Sequence, residues 1–140
     1  MIKHNARLIG VLLVDQSITS AGIEQNLGLV LGLSAGRKML CEHFGPDVSD
    51  ADGRTHPQLT NSPHFVRKCS ANKLRELRDV FASHPELIVV DYTEAAATSD
   101  YAAYAKALSE QAGDQVVYRA VFAFGPEQLL TPLTKNLSRL

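Results

Sequence analysis

The sequence predicts an α/β fold, a three-layer α/β/α sandwich on a mixed four-stranded sheet. Three observations carry this. Apolar runs that read as strands buried on both faces recur at 8–14 (LIGVLLV), 87–90 (LIVV) and 116–124 (VVYRAVFAF). Segments with helical spacing lie between them, so the order β-α-loop-β-α-β-α-β-α alternates as helices on both faces of a sheet require. The chain has 140 residues, 45% hydrophobic and 21% charged, which suits one α/β domain over 1–140. A domain of that length buries about 70% of the surface its unfolded chain exposes.

The first strand ends at Asp15 and a polar turn, DQSITS. Ile23, Leu27, Val30 and Leu31 then recur at helical spacing and predict a helix over 21–33. Gly28, Gly32 and Gly36 form a ridge on it. Each glycine costs about 1 kcal/mol of helix propensity, so the ridge predicts a neighbour packed tightly on a Cβ-free stripe. Residues 42–61 are rich in Gly, Pro, Asp, Asn and Thr without an apolar period, and read as a long loop with an Asp-Gly bend. Residues 65–69 (FVRKC) are a short strand. Ser70 caps a helix over 71–83 that turns Leu74, Leu77, Val80 and Phe81 inward. Pro85 closes it, and the strand 87–90 runs into Asp91. A turn over 92–100 leads to an amphipathic helix over 101–111, stopped by Gly113. After the last strand, Gly125-Pro126 starts a helix with Glu127 in its first turn. Thr131 and Pro132 then predict two short helices or one kinked helix through Leu133 and Leu137.

Fourteen Lys plus Arg against fifteen Asp plus Glu give a formal net charge of -1. That balance argues against a broad nucleic-acid or anionic-membrane surface. The longest apolar stretch, 27–33, falls short of the ~20 residues a spanning helix needs. The first fifteen residues lack a small-residue cleavage site, so a cytoplasmic protein is expected. Cys41 and Cys69 have no C-x-x-C pairing and read as free thiols.

Two strands end alike, in GVLLV-Asp15-QSITS and LIVV-Asp91-YTEAAATS. If those strands are parallel neighbours, both carboxylates share one crevice at the carboxyl ends. Such a pair splits its pKa values for acid/base work, holds a metal through water, or accepts from a ligand hydroxyl or ammonium. The plainer alternative is that each acid caps the helix after it. Gln25 and Asn26, on the second turn of the first helix, face either that crevice or solvent. Asp50, Arg54, Thr55 and His56 in the long loop are expected to wall the crevice and bind its ligand. The D-A-D-G stretch is no calcium loop, because Val48 would stand first and Leu59 twelfth, where acids are needed. His4, His43, His56, His64 and His84 form no H-x-x-x-H pair, and neither metal nor cofactor is expected. No G-x-S-x-G, Walker or G-x-G-x-x-G motif occurs.

Taken together, GPDVSDADGRTHP, FVRKCSANKLREL, VVDYTEAAATSDYAAYAKAL and the ending FAFGPEQLLTPLTKNLSRL resemble domain-of-unknown-function family 2000, over nearly the whole chain. The resemblance implies a bacterial protein with a fold similar to type II peptidyl-tRNA hydrolase. On the hydrolase's motifs it puts Gln25 and Asp91 at matching catalytic positions and Ala95 at the threonine position, for which Thr93 substitutes only with a shifted backbone. The lysine position is Ala21. Without that cation an electrostatic contribution usually large in acyl transfer is missing, so tRNA is the disfavoured partner.

The expected function is binding, with or without turnover, of a small polar or nucleotide-like ligand by Asp15, Asn26, Thr93, Asp50, Arg54, Thr55 and His56, with Asp91 and Gln25 as catalytic candidates. Two alternatives stand beside it. One is a divergent ester hydrolase of the peptidyl-tRNA hydrolase kind. The other is a non-catalytic homodimer joined through the glycine-ridged helix or the last helix.

Overall fold

The computed structural model describes residues 7–139. Strand β1 (Leu8–Asp15) forms from the first apolar run and is buried throughout from Ile9 onward. Helix α1 (Ala21–Gly36) begins where the Ser20 side chain accepts the Ile23 N–H, and extends one turn past the predicted end. It returns the chain to the starting edge of the sheet, as a crossover between parallel strands must. The loop that follows contains a short hairpin, β2 (Val48–Ser49) and β3 (Thr55–His56), before β4 (His64–Cys69). The hairpin turns at Gly53, whose φ of 81° is the left-handed conformation the Asp-Gly bend calls for. Ser70 caps α2 (Ala71–Ala82), which buries Leu74, Leu77 and Phe81 as its apolar spacing predicts. Strand β5 (Ile88–Thr93), α3 (Tyr101–Ser109), β6 (Tyr118–Pro126) and α4 (Glu127–Thr134) follow.

Among the described residues the main sheet has five strands, one more than expected, in the order β5-β6-β1-β4-β7. The addition is β7 (Ser138–Arg139), antiparallel to β4. It takes the place of the predicted second or kinked helix. Pro132 lacks the N–H for a helical bond, α4 stops at Thr134, and Leu137 packs on the core. The next two residues are thereby left beside the open edge of β4, whose backbone groups they pair. Strand β1 pairs parallel with β4 and antiparallel with β6, and β6 pairs antiparallel with β5. Strands β1, β4 and β5 therefore share one direction, with β6 running against them.

The two faces carry separate cores. One joins Val11 and Leu13 of β1, Cys69, the inner face of α2 and Leu130 of α4. The other joins Leu12, Val14, Phe122 and Phe124 to Leu27, Leu31 and Ala35 of α1. Helices thus cover both sides of the sheet. The glycine ridge of α1 departs from expectation. A Cβ at Gly28 would meet Leu12 at 3.3 Å, but at Gly32 and Gly36 nothing lies within 4 Å. Those two glycines face open space. The tight approach occurs at Gly10, where a Cβ would stand 2.1 Å from Nδ1 of His64.

Candidate functional site

Asp15 and Asp91 lie toward the same, carboxyl, ends of their strands, but β6 separates those strands. The condition for a shared carboxylate crevice, parallel neighbours, is not met. Each acid instead has its own arginine. Asp15 is 5% exposed; its Oδ2 accepts from Nη1 of Arg119 at 2.9 Å and its Oδ1 from the Ser17 backbone N–H at 2.9 Å. The helix cap expected of it comes from Ser20. Asp91 Oδ2 accepts from Nε of Arg78 at 3.2 Å, and that guanidinium lies over the Tyr118 ring at 5.4 Å. Burial first, with the Asp91 charge adding to it, pushes the phenols of Tyr118 and Tyr104 above their ordinary range. The Cys69 thiol, register partner of Asp15, is pushed up to about 11 by burial and by that carboxylate. It is no nucleophile at neutral pH.

A crevice of about 460 Å³ does open at the carboxyl ends of β1 and β5, against the first half of α1. Ile18 from the β1–α1 turn, Ile23, Asn26 and Leu27 from α1, and Tyr92, Glu94 and Ala97 from the end of β5 line it. Arg119 completes the lining. Its position comes from an irregularity in the β5–β6 ladder: Tyr92 pairs with Ala120 and Thr93 with Tyr118, so Arg119 is the extra residue. A bulge of this kind re-aims a side chain that regular alternation would send elsewhere. Arg119 keeps 30% of its side chain exposed while Asp15, beside it, keeps 6%. The crevice therefore presents a guanidinium held by a buried carboxylate, a carboxylate (Glu94), an amide (Asn26) and an apolar wall. Lys68, outside the lining, pairs with Glu24 Oε1 at 2.6 Å and donates to the carbonyl of the lining residue Ile18 at 3.3 Å.

Of the sequence-predicted residues, Asn26 lines this crevice and Asp15 supports it. Gln25 is exposed on α1 and lines neither this crevice nor the groove that holds Asp91. That groove, of about 540 Å³, follows the free edge of β5 between α1 and α3, with Lys38, Tyr101 and Tyr104 in its lining. Gln25 and Asp91 are accordingly not brought together as a catalytic pair. Thr93 is 1% exposed, its Oγ1 has no hydrogen-bond partner, and it lines neither cavity.

Asp50, Arg54, Thr55 and His56 do not wall the crevice. The loop starts where α1 ends and enters β4 at His64, which pairs with Gly10, so its base lies at the opposite end of the strands. Within the hairpin these side chains satisfy one another. Asp50 Oδ1 accepts the N–H groups of Asp52 and Arg54, both at 3.0 Å. Its Oδ2 meets Arg54 Nε at 2.8 Å and His56 Nε2 at 3.0 Å. The His56 contact, then the Arg54 backbone bond, lowers the Asp50 pKa below the ordinary carboxylate value. The network holds a turn.

His43 and His64 pack on the aromatic end of β6. His43 meets Phe124 edge-on at 5.0 Å and accepts the Leu40 N–H at Nδ1; His64 stacks over Phe122 and Phe124. Among the described residues, no three His, Cys, Asp or Glu side chains are gathered closely enough to hold a metal ion. His4 lies outside the described residues. No described helix is long and apolar enough to cross a membrane. Sequence reasoning missed Arg119 and Glu94. The signal available for Arg119 was a lone cation inside the otherwise apolar run VVYRAVFAF.

Residues 10–140 match the model of a family described as protein of unknown function, DUF2000, in agreement with the resemblance read from the motifs. No protein of curated function matches the sequence. Among solved structures, the chain is similar to a protein of unknown function from Agrobacterium tumefaciens. The TM-score is 0.74 at 17% identity, over 95% of this chain and 97% of that one. At that identity the likeness shows a common fold.

Proposed function

We propose that this chain, which belongs to the DUF2000 family, binds a small ligand with an anionic group and an apolar body in the crevice at the strand ends. The observation that carries the reading is Arg119, placed by a bulge and held by a buried Asp15, yet still facing an open cavity. A guanidinium fixed on one side by a carboxylate offers its remaining N–H groups in a set geometry for a carboxylate or phosphate. Ile18, Ile23 and Leu27 suit an apolar body, while Asn26 and Glu94 suit a hydroxyl or ammonium.

A thermal-shift panel of carboxylates, amino acids, nucleotides and sugar phosphates tests this, run on the wild type and on Asn26→Ala and Glu94→Gln. A ligand at a hundred times its Kd stabilises by about 2.7 kcal/mol. The expected result is a hit weakened in both variants. A hit that ignores both variants, or a panel without any hit, overturns the reading.

A second reading, a homodimer through α1, draws on a specific observation. Leu29 is 63% and Leu33 is 71% exposed on that helix, beside the open Gly32 and Gly36. Ile23 belongs to the same exposed surface and to the crevice. Sedimentation at micromolar concentration decides it, and a monomer there refutes it. Similarity to the type II peptidyl-tRNA hydrolase fold is likewise our reading, supported by the strand, Gly125-Pro126, helix and Thr131 of the chain's ending. The hydrolase activity is not part of the proposal, because Ala21 and Ala95 replace its lysine and threonine.

A further inference from the structure

We propose a second binding site, an anion site for a single phosphate group, in the cleft between α4 and the β4–β7 edge. The β4–β7 register sets Arg67 directly opposite Arg139. Residues directly opposite in an antiparallel pair project from the same face as near neighbours, and like charges so placed repel. Lys135, just past the end of α4, adds a third cation to the same cleft of about 190 Å³. Among the described residues, none of the three has a carboxylate within 4.0 Å. Glu127 also lines the cleft, but its carboxylate is drawn to Arg7 at 3.4 Å.

The arrangement is partly built in advance. The Arg67 guanidinium is anchored by Nη1 donating to the Val66 carbonyl at 3.0 Å and by lying over the Phe65 ring at 5.4 Å. Its other N–H groups remain available for the bidentate contact that arginine makes with phosphate oxygens. A dianion set among three cations turns their mutual repulsion into attraction. The cleft volume falls below the ~300 Å³ at which pockets begin to enclose whole ligands, so it fits a phosphoryl group rather than an entire nucleotide. A formal net charge of -1 argues against a polynucleotide as the occupant. The cleft shares no lining residue with the crevice, so either proposal can fail while the other stands.

The probe is inorganic phosphate, titrated into the full chain against chloride at matched ionic strength and followed by amide NMR shifts and by the thermal midpoint. Shifts centred on Arg67, Lys135 and Arg139 that saturate with phosphate alone are expected. Arg139→Gln and Lys135→Gln each weaken the affinity about tenfold, as loss of one charge-assisted contact does. Lys106→Gln, which removes an exposed charge that lines neither the cleft nor the crevice, leaves it unchanged. All three cations replaced are exposed, and circular dichroism verifies the fold. Equal responses to chloride, no saturation, or full affinity in Arg139→Gln overturns the site. Binding of a single-stranded RNA without any response to inorganic phosphate overturns the single-phosphate class.

Discussion

Replacing Arg119 by Met keeps its length and apolar stem but leaves Asp15 buried without its cation. The carboxylate is 5% exposed and Nη1 stands 2.9 Å from Oδ2. At an effective dielectric constant of ~20, charges ~4 Å apart attract by about 4 kcal/mol, and removing one member of a buried pair costs about 3–5 kcal/mol. Two features put this pair at the low end. The Ser17 N–H continues to hold Oδ1, and water reaches the guanidinium side, where Arg119 is 30% exposed. The expected loss is about 3 kcal/mol. With a urea slope of about 2 kcal/mol/M, the midpoint falls by roughly 1.5 M. Adding Asp15→Asn to that background removes the stranded charge and keeps an acceptor for Ser17, so about half the loss returns. Urea unfolding of the four members of the cycle measures this. A loss below ~1 kcal/mol, or a double variant no more stable than Arg119→Met alone, refutes the claim that Asp15 depends on Arg119.

Gly10→Ala places a methyl where Nδ1 of His64 stands, at 2.1 Å, so the ring must leave its stack on Phe122. A loss of about 1–3 kcal/mol in thermal unfolding is expected, and none would show that His64 moves freely. Thr93→Val replaces a buried hydroxyl without a partner by a methyl of similar size. Stability should rise by up to about 1 kcal/mol; a clear fall would reveal that the hydroxyl is in use. Burial lowers the His64 pKa below its ordinary 6.5, so the unfolded chain takes up this proton first on acidification. The linked stability is complete above pH 6.5 and is lost as pH falls from there toward the folded-state pKa. Urea midpoints at several pH values should show this slope flattened in His64→Phe, and an unchanged slope would assign it elsewhere.

Strands and helices were legible wherever local pattern and burial agree, as in LIGVLLV, LIVV and the Ser70-capped helix. What escaped depends on neighbours distant in sequence. A two-residue strand such as β7 has no period of its own and exists because the β4 edge lies beside it. A glycine ridge on a helix suggests close packing, but glycine is equally compatible with open space, where Gly32 and Gly36 stand. The Asp50–Arg54–His56 set was chemically legible as a cluster of partners. Its distance from the crevice follows from chain path: a parallel crossover places the loop after α1 at the starting edge of the sheet.

The twin strand endings illustrate why a motif repeated in sequence need not repeat in function. Parallel direction alone brings Asp15 and Asp91 to one end of the sheet, and an α/β order without an inserted strand would make them neighbours. Strand β6, coming last in the chain, enters between β1 and β5 and runs against both. It brings Arg119 to Asp15 on one flank and Tyr118 to Arg78, the partner of Asp91, on the other. The two carboxylates are thereby converted from a possible acid/base pair into two separate supports. One orients a cation that lines the crevice, and the other ties α2 to the edge strand. The cation that lines the crevice is the side chain that a β6 irregularity turns there, and the mark it leaves in the sequence is a lone Arg119 within the otherwise apolar run 116–124.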